Sequence, residues 1–131
     1  MIHPGLKGRS EGVVTLQNTA IAAGSGTLPV FGTPYMAALM ENAASESLSP
    51  YLEEGQSSVG VKLDISHSSA TPVGMLVWVD SEVTAVEGKK IVFTVSAFDE
   101  CGPIGKGVHE RFIIGIDRFM DKCNKKKSDA L

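Results

Sequence analysis

Three polar side chains occupy positions where a purely structural plan would favour apolar ones. His67 ends a run in which apolar and polar residues alternate, and it stands in the apolar register of that run. Glu41 lies within an apolar segment among alanine and serine neighbours, although burying an unpartnered carboxylate is costly. Thr33 opens that segment. The structural alternatives are a core histidine bonded to backbone, a glutamate on a solvent-facing helix side, and a threonine that only caps a helix.

These residue types form a set that could carry out nucleophilic catalysis. A threonine hydroxyl can attack a carbonyl, a histidine can take its proton, and a carboxylate can orient the histidine. The start of a helix adds unpaired backbone N–H groups and a positive dipole end, which can hold a developing oxyanion. Whether the three side chains can meet depends on the elements that position them.

A long helix is predicted to position Thr33 and Glu41. Thr33 is a good N-cap and Pro34 a good first helical residue, so the helix should begin there and end between residues 49 and 52. Apolar or small residues occur almost all round the segment, which indicates a buried helix. Residues 20–32, which precede it, carry Gly and Pro turn signals and are predicted to form a lid-like loop.

Five strands are predicted around this helix. One covers residues 11–17, and four antiparallel strands follow at residues 59–67, 75–83, 91–97 and about 104–119. The last has mixed faces and is expected to contain a bulge, with Val108, Phe112, Ile114 and Ile116 on one side. One helix can cover five strands only if the sheet curls round it. The predicted fold is therefore an α+β hotdog fold, one long buried helix wrapped by a curved antiparallel five-stranded sheet.

The chain is predicted to be one domain, residues 1–131, in which residues 117–131 are partly a basic, solvated tail. The strand that carries His67 would leave an uncovered edge beside that histidine. An unpaired edge is an aggregation hazard, so at least a homodimer is predicted, with the pockets of the candidate site formed between the subunits.

Composition and charge argue against several classes of protein. The 131 residues include 12 Lys and Arg and 15 Asp and Glu, a net charge of −3 that disfavours nucleic-acid binding. Residues 12–40 carry no charge, but Gly, Pro, Asn and Gln interrupt them, which argues against a membrane span. Cys101 and Cys123 lack metal-ligand spacing and fit a reducing cytosol. The expectation is a cytoplasmic protein without a metal or an organic cofactor.

Six short segments follow one another in a characteristic order. They are Val30-Phe31-Gly32-Thr33, Leu39-Met40-Glu41, Ser49-Pro50-Tyr51-Leu52-Glu53, His67-Ser68-Ser69-Ala70-Thr71-Pro72, Val86-Glu87-Gly88-Lys89 and Gly107-Val108-His109-Glu110-Arg111. From about residue 10 to 120, the chain resembles the fluoroacetyl-CoA thioesterase-like branch of the hotdog thioesterases. The resemblance implies that Thr33, Glu41 and His67 form the catalytic set. It also implies that Gly60 and Arg111 lie at the substrate, and Phe31 is a further candidate substrate contact.

The activity implied by the resemblance is hydrolysis of acyl-CoA thioesters, with either Thr33 or a water activated by His67 as the nucleophile. The fluoroacetyl-specific member has a phenylalanine gate before the helix, whereas residues 24–29 here contain no aromatic side chain and the first one is Phe31. Pro34 also stands where the resemblance implies a glycine. Short or medium acyl-CoA thioesters are therefore expected as substrates, without fluoroacetyl specificity.

Two other functions remain as alternatives. One is a non-catalytic hotdog protein that binds an acyl thioester or another small ligand, and the other is an enzyme similar to the hotdog enoyl-CoA hydratases. The phosphates of CoA would need positive charge, and the sequence offers Lys89, Lys90 and the basic tail without distinguishing among them.

Overall fold

The computed structural model describes residues 1–130 and consists of one helix-backed antiparallel sheet. The elements are β1 (Lys7–Val13), α1 (Ala20–Ala23), α2 (Thr33–Leu48), a 3-10 turn (Ser49–Tyr51), β2 (Gln56–His67), β3 (Leu76–Glu87), β4 (Lys90–Asp99), β5 (Gly102–Gly115) and α3 (Ile116–Asp129). The strand order is β1-β3-β4-β5-β2. The sheet curls around α2, and the α+β hotdog prediction is confirmed.

Apolar side chains of α2 and of the central strands form the core. Its fully buried members include Met36, Met40, Ala43, Ala44 and Leu48 from α2, and Val77, Val79, Val83, Ile91, Phe93, Val95 and Ala97 from β3 and β4. Each large aliphatic or aromatic side chain buried in this way contributes about 1.5–3 kcal/mol. The apolar registers predicted for the second and third strands after the helix are confirmed, and they fix α2 against the sheet.

The start of α2 differs from the sequence prediction by one residue. Gly32 is the N-cap and makes no side-chain capping bond, and Thr33 is the first helical residue. A Cβ on Gly32 would approach the carbonyl group of Thr19 to 3.0 Å, so the tight entry into the helix favours glycine. The Thr33 hydroxyl does not cap the helix because it is bonded to His67 instead. The predicted N-cap role of Thr33 is therefore wrong.

Two strand boundaries also differ. β1 lies at Lys7–Val13 and not at residues 11–17, because Asn18 holds a turn after the strand by accepting from the Thr15 N–H and donating to the Val13 carbonyl. β5 ends at Gly115, and the predicted continuation of the strand to residue 119 is wrong. The predicted tail is α3, an exposed helix that is basic in its last turn. Leu131, the last residue of the predicted tail, lies outside the described residues.

The segment predicted as a loop, residues 20–32, contains the short helix α1. Thr19 caps α1 by accepting from the Ala22 N–H, and Gly24 ends it in the left-handed region at φ 69°. The remainder is irregular and exposed up to Val30, and isolated bridges tie its ends to the fold. The segment is therefore a mostly irregular, exposed lid that contains one helical turn.

The bulge expected in the last strand is present at Ile104, which the pairing of β4 with β5 skips between Ala97 and Phe98, and a second bulge lies in the neighbouring strand β2. The pairing of β2 with β5 shifts between Gly60 and Lys62, which leaves Val61 unpaired and 52% exposed. Val61 belongs to the apolar register of the strand predicted at residues 59–67, in which inward side chains were expected, and for Val61 that prediction is wrong. On β5, the inward side chains near this bulge are His109 and Arg111, whereas Val108 and Phe112 face outward. The bulge and this polar inner face position the site described next.

Candidate active site

A threonine–histidine pair is formed where α2 begins and β2 ends. Thr33 Oγ1 lies 2.7 Å from His67 Nδ1, although the two residues are far apart in sequence. The edge of the His67 ring meets Phe31, with ring centroids 6.4 Å apart and an interplanar angle of 78°. Phe31 itself is buried, so it fixes one side of the imidazole. The structure thus brings three of the sequence-predicted residues together.

The environment of His67 favours the neutral imidazole, the form that can accept a proton. Burial lowers the pKa of His67 from its ordinary value. In the tautomer with the proton on Nε2, the Thr33 hydroxyl donates to Nδ1. Nε2 is buried and has no hydrogen-bond partner among residues 1–130. A buried donor without an acceptor is costly, which identifies Nε2 as the ring atom that needs a further group.

A cavity of about 250 Å³ opens beside this pair. Its lining comes from the lid segment, the helix start and the end of β2, and includes Ser25, Val30, Phe31, Thr33, His67 and Ser68. Apart from Phe31, which is held against His67, the lid residues that reach the cavity are small or β-branched. The cavity can therefore hold a small acyl group next to the threonine hydroxyl.

The other predicted residues form a second cluster on α2, β2 and β5. Glu41 Oε2 lies 3.9 Å from Arg111 Nη1, and the Glu41 side chain is 45% exposed. Gly60 lies against both, since a Cβ there would approach Glu41 Oε2 to 2.7 Å and Arg111 Nη1 to 3.3 Å. The sequence left open whether Glu41 is buried or faces solvent. The structure shows an intermediate case, a half-exposed carboxylate that is held by a cation.

Arg111 is held in place from three directions. Its Nε donates to Ser58 Oγ at 2.9 Å and its Nη2 donates to the Ser58 carbonyl at 3.0 Å. Its Nη1 lies 3.2 Å from His109 Nε2. The guanidinium is 7% exposed, so these bonds fix the orientation of a nearly buried cation that faces Glu41.

His109 is a member of the cluster that the sequence reasoning missed. It is fully buried and stacks on Phe93, with ring centroids 5.9 Å apart. Nδ1 donates to the Lys62 carbonyl at 2.8 Å, which leaves Nε2 as an acceptor for Arg111. Burial lowers the pKa of His109 and keeps the ring neutral. The available signal was the spacing of two residues between His109 and Arg111, which puts the two side chains on the same face of β5.

The two clusters do not meet within one chain. Glu41 lies beside Gly60, which is seven residues from His67 on β2, and that span corresponds to roughly 20 Å of strand. Along α2, Thr33 and Glu41 are eight residues apart, or about 12 Å. A glutamate side chain cannot cover such a gap. One chain therefore supplies Thr33 and His67 at one place and Glu41, Gly60 and Arg111 at another.

Gly60→Ala is expected to impair activity without unfolding the protein. The new methyl group would displace the Glu41 carboxylate, a flexible side-chain end that can move away at little cost in stability. Misplacing a reacting group by about 1 Å can cost about 10²-fold in rate, and a loss of kcat of this order is expected in a thioester hydrolysis assay. Gly12→Ala is the matched control, because its methyl would meet only Val77 Cγ2 at 4.0 Å. Equal activity of the two variants would contradict a role for the Glu41 position.

A metal site and a membrane span are two further features that the sequence raised. No group of three or more His, Cys, Asp or Glu side chains is placed to hold a metal ion within residues 1–130. Over the same part of the chain, no helix combines the length and apolar character that crossing a membrane requires.

Comparison with known proteins identifies clear relatives. A family model described as fluoroacetyl-CoA-specific thioesterase matches residues 14–117. The fluoroacetyl-CoA thioesterase of Streptantibioticus cattleyicolor is 41% identical over 97 residues, which cover 74% of this chain and 70% of that enzyme.

Solved structures extend the likeness to nearly the whole chain. The fluoroacetyl-CoA thioesterase FlK superposes with a TM-score of 0.91 at 33% identity, covering 96% of this chain and 98% of that one. A Thermus thermophilus member of the thioesterase superfamily gives a TM-score of 0.91 at 28% identity, covering 98% and 96%. Variants of FlK have been solved with fluoroacetate, with fluoroacetate and CoA, and with acetyl-CoA.

Proposed function

The chain belongs to the fluoroacetyl-CoA-specific thioesterase family, and we propose that it hydrolyses short and medium acyl-CoA thioesters with Thr33, His67 and Glu41 as its catalytic residues. The observation that carries this proposal is the 2.7 Å contact between Thr33 Oγ1 and His67 Nδ1 at the start of α2. A hydroxyl bonded to a neutral imidazole is an activated nucleophile. The neighbouring cavity accommodates the acyl group.

The start of α2 supplies a donor for the thioester oxygen. Pro34 has no N–H, and those of Tyr35 and Met36 both bond to the Gly32 carbonyl at 3.0 Å. Among the first helical residues this leaves the Thr33 N–H as the free donor, at the positive end of the helix dipole. An oxyanion that develops on the substrate can be stabilised there.

Two routes use this geometry. In the first, Thr33 Oγ1 bonds to the thioester carbon while His67 Nδ1 takes the hydroxyl proton. The tetrahedral intermediate then expels the CoA thiolate, which receives that proton, and water hydrolyses the acyl-threonine. In the second, His67 removes a proton from water, which attacks the carbonyl carbon directly. Both routes need a neutral His67 and an oriented ring.

Glu41 enters the site from a second subunit in this proposal. β2 is an edge strand with unpaired backbone groups along one side, and such an edge is normally covered. Two copies that pair their β2 strands antiparallel around a two-fold axis between Gly60 and His67 place each His67 beside Gly60 of the partner subunit. Glu41 lies against Gly60, so its carboxylate then reaches the unpartnered Nε2 of His67.

Each dimer would contain two composite sites. One subunit gives Thr33, His67 and the acyl cavity, and the other gives Glu41 held by Arg111 and Gly60. Arg111 keeps the carboxylate in position and adds positive charge beside the thioester. The separation of the two clusters within one chain supports a dimer with pockets between its subunits, because the chemistry requires residues of both clusters at one place.

The lid supports a broad acyl preference. Gly24 and Gly26 have no side chain, those of Ser25 and Thr27 are small, and all four residues are exposed. The one large aliphatic side chain of residues 24–29, Leu28, is 63% exposed. A segment of this kind cannot close tightly over a two-carbon acyl group in the way a bulky aromatic gate can. Selectivity from one small substituent amounts to only about 1–3 kcal/mol in such a pocket.

Fluoroacetyl-CoA and acetyl-CoA are therefore expected to be hydrolysed with kcat/KM values that differ by no more than about 200-fold, the upper end of what about 1–3 kcal/mol allows. Both substrates are measured on one preparation, with propionyl-CoA as a third substrate that tests tolerance of an added methylene. A preference for fluoroacetyl-CoA above ~10³-fold would contradict this account of the lid, because it exceeds what a difference of this size contributes in an ungated pocket.

The proposed function itself is tested by mixing the protein with acetyl-, propionyl- and phenylacetyl-CoA and following the release of free thiol. Catalytic release with at least one of them is expected. Tight binding without thiol release would favour the non-catalytic alternative. Crotonyl-CoA is added as a fourth thioester, and loss of its enoyl chromophore without thiol release would favour the hydratase-like alternative.

A further inference from the structure

A second cavity lies at the other end of the sheet, between the turn before β4, the end of β5 and the first turns of α3. Its volume is about 240 Å³, and three cations line it, namely Lys89, Arg118 and Lys122. The remaining lining comes from Ile113, Ile114, Gly115 and Phe119. The cavity therefore combines an apolar floor with a concentrated positive charge, in a chain whose net charge is −3.

The three cations are free to meet an anionic ligand. None of them forms an ion pair with a carboxylate of residues 1–130. The neighbouring Lys90 differs, since its Nζ lies 3.7 Å from Glu87 Oε2 and 3.4 Å from Glu110 Oε1. Lys90 is thus paired with carboxylates of its own chain, whereas the adjacent Lys89 faces the cavity.

We infer that Lys89, Arg118 and Lys122 bind the phosphate groups of the CoA moiety, an inference that rests on the proposed thioesterase function. Lysine and arginine donate charge-assisted hydrogen bonds to phosphate oxygens, and arginine can do so with two N–H groups at once. Phe119 and Ile114 offer the apolar surface on which the adenine ring can pack. A nucleotide with several phosphates suits this combination better than a simple carboxylate does.

The position of the cavity fits the length of the CoA arm. Ile113 and Ile114 pair with Ser58 and Ser57 on β2, two to three residues from Gly60, which corresponds to roughly 10 Å of strand. In the proposed dimer, His67 of the partner subunit lies beside Gly60. The pantetheine arm is about as long as four extended residues, roughly 14 Å. A thioester at that His67 can therefore extend its phosphates to this cavity.

The inference is tested by binding of the product CoA and of pantetheine, which lacks all the phosphates, to the full chain. Binding is measured by calorimetry, so no catalysis is required. The test variant is Lys89→Ala/Arg118→Ala/Lys122→Ala. The matched control is Lys125→Ala/Lys126→Ala/Lys127→Ala, which removes the same charge from later residues of the same helix. The wild type and the control are expected to bind CoA at least about 10-fold more tightly than pantetheine, and the test variant is expected to lose this difference.

Steady-state kinetics provide a second measurement, which would not change in the way described here if the three cations had only a structural role. In the test variant, KM for acetyl-CoA is expected to rise about 10-fold or more with kcat unchanged, while hydrolysis of acetyl-pantetheine stays at the wild-type rate. Equal affinity of the wild type for CoA and pantetheine, no detectable binding of either, or an equal loss in the control variant would overturn the inference. If the chain binds CoA as expected but releases no thiol, the proposed function fails while this binding site stands.

Discussion

His67→Ala is expected to lower kcat for acetyl-CoA hydrolysis by at least ~10²-fold, the lower end of the contribution of a general base. The variant loses the group that accepts the proton from Thr33 or from water, and the thioester is then attacked by a poor nucleophile. The free energy of unfolding should fall only by about 1 kcal/mol, because one hydrogen bond between half-exposed residues is lost. Steady-state kinetics and thermal unfolding on the same preparation separate the two effects.

The direction in which the activity changes with pH follows from the protonation of His67. An imidazole acts as a base only when neutral, so kcat/KM should rise with pH through roughly neutral values as His67 loses its proton. Burial within one chain lowers the pKa of His67. A carboxylate beside Nε2 raises it, because it stabilises the imidazolium. Glu41→Gln should therefore shift the rise of its residual activity to lower pH.

His3→Ala is the control for these measurements, since His3 is exposed and remote from both clusters. The control should have wild-type kinetics. Near-normal hydrolysis by the His67→Ala variant would contradict the catalytic assignment, and His67 would then be a structural histidine that only holds the start of α2 against the end of β2.

Local patterns in the sequence predict most of the architecture. Thr33, Pro34 and an apolar segment predict where α2 begins, and period-two alternation predicts the inward residues of β3 and β4. The lone histidine in the apolar register of β2 is confirmed as inward-facing, together with Leu63 and Ile65. These features depend on neighbouring residues along the chain and on one buried face, so they can be deduced without knowledge of the pairing.

Features that depend on pairing between distant residues could not be deduced. The exposure of Val61 follows from a bulge whose position is set by the register of β2 against β5. On β5, the inward residues beside that bulge are His109, which stacks on Phe93, and Arg111, which faces Glu41 and Ser58. An alternation rule that assigns apolar residues to the interior therefore selects the wrong face of this strand.

The residue types of the candidate site were predicted from the sequence. The division of the site into two clusters could not be predicted in this way. Spacing along the sequence says nothing of which end of β2 lies against Glu41. The structure places the carboxylate at Gly60 and the imidazole at the opposite end of the strand. That division is the physical reason to expect a composite site, since a single chain leaves His67 Nε2 buried without an acceptor.

Subunit mixing is the second prediction with a large expected effect, and it tests the composite site. The variants His67→Ala and Glu41→Ala should each be nearly inactive as homodimers, and sedimentation should show that each remains dimeric. When they are unfolded and refolded together, half of the dimers contain one copy of each. One of the two sites in such a mixed dimer then combines an intact Thr33–His67 pair with an intact Glu41, and the other site lacks both groups.

The measurement that bears most directly on the account is the thioesterase activity of this mixture at equal subunit concentrations. About a quarter of the wild-type activity is expected, because half of the dimers regain one of two sites. A mixture of Thr33→Ala and His67→Ala is the matched control and should show no gain over the activity of its two components, since one subunit supplies both residues. If the His67→Ala and Glu41→Ala mixture remains as inactive as its components although mixed dimers have formed, Glu41 does not act across the interface and the composite site is wrong.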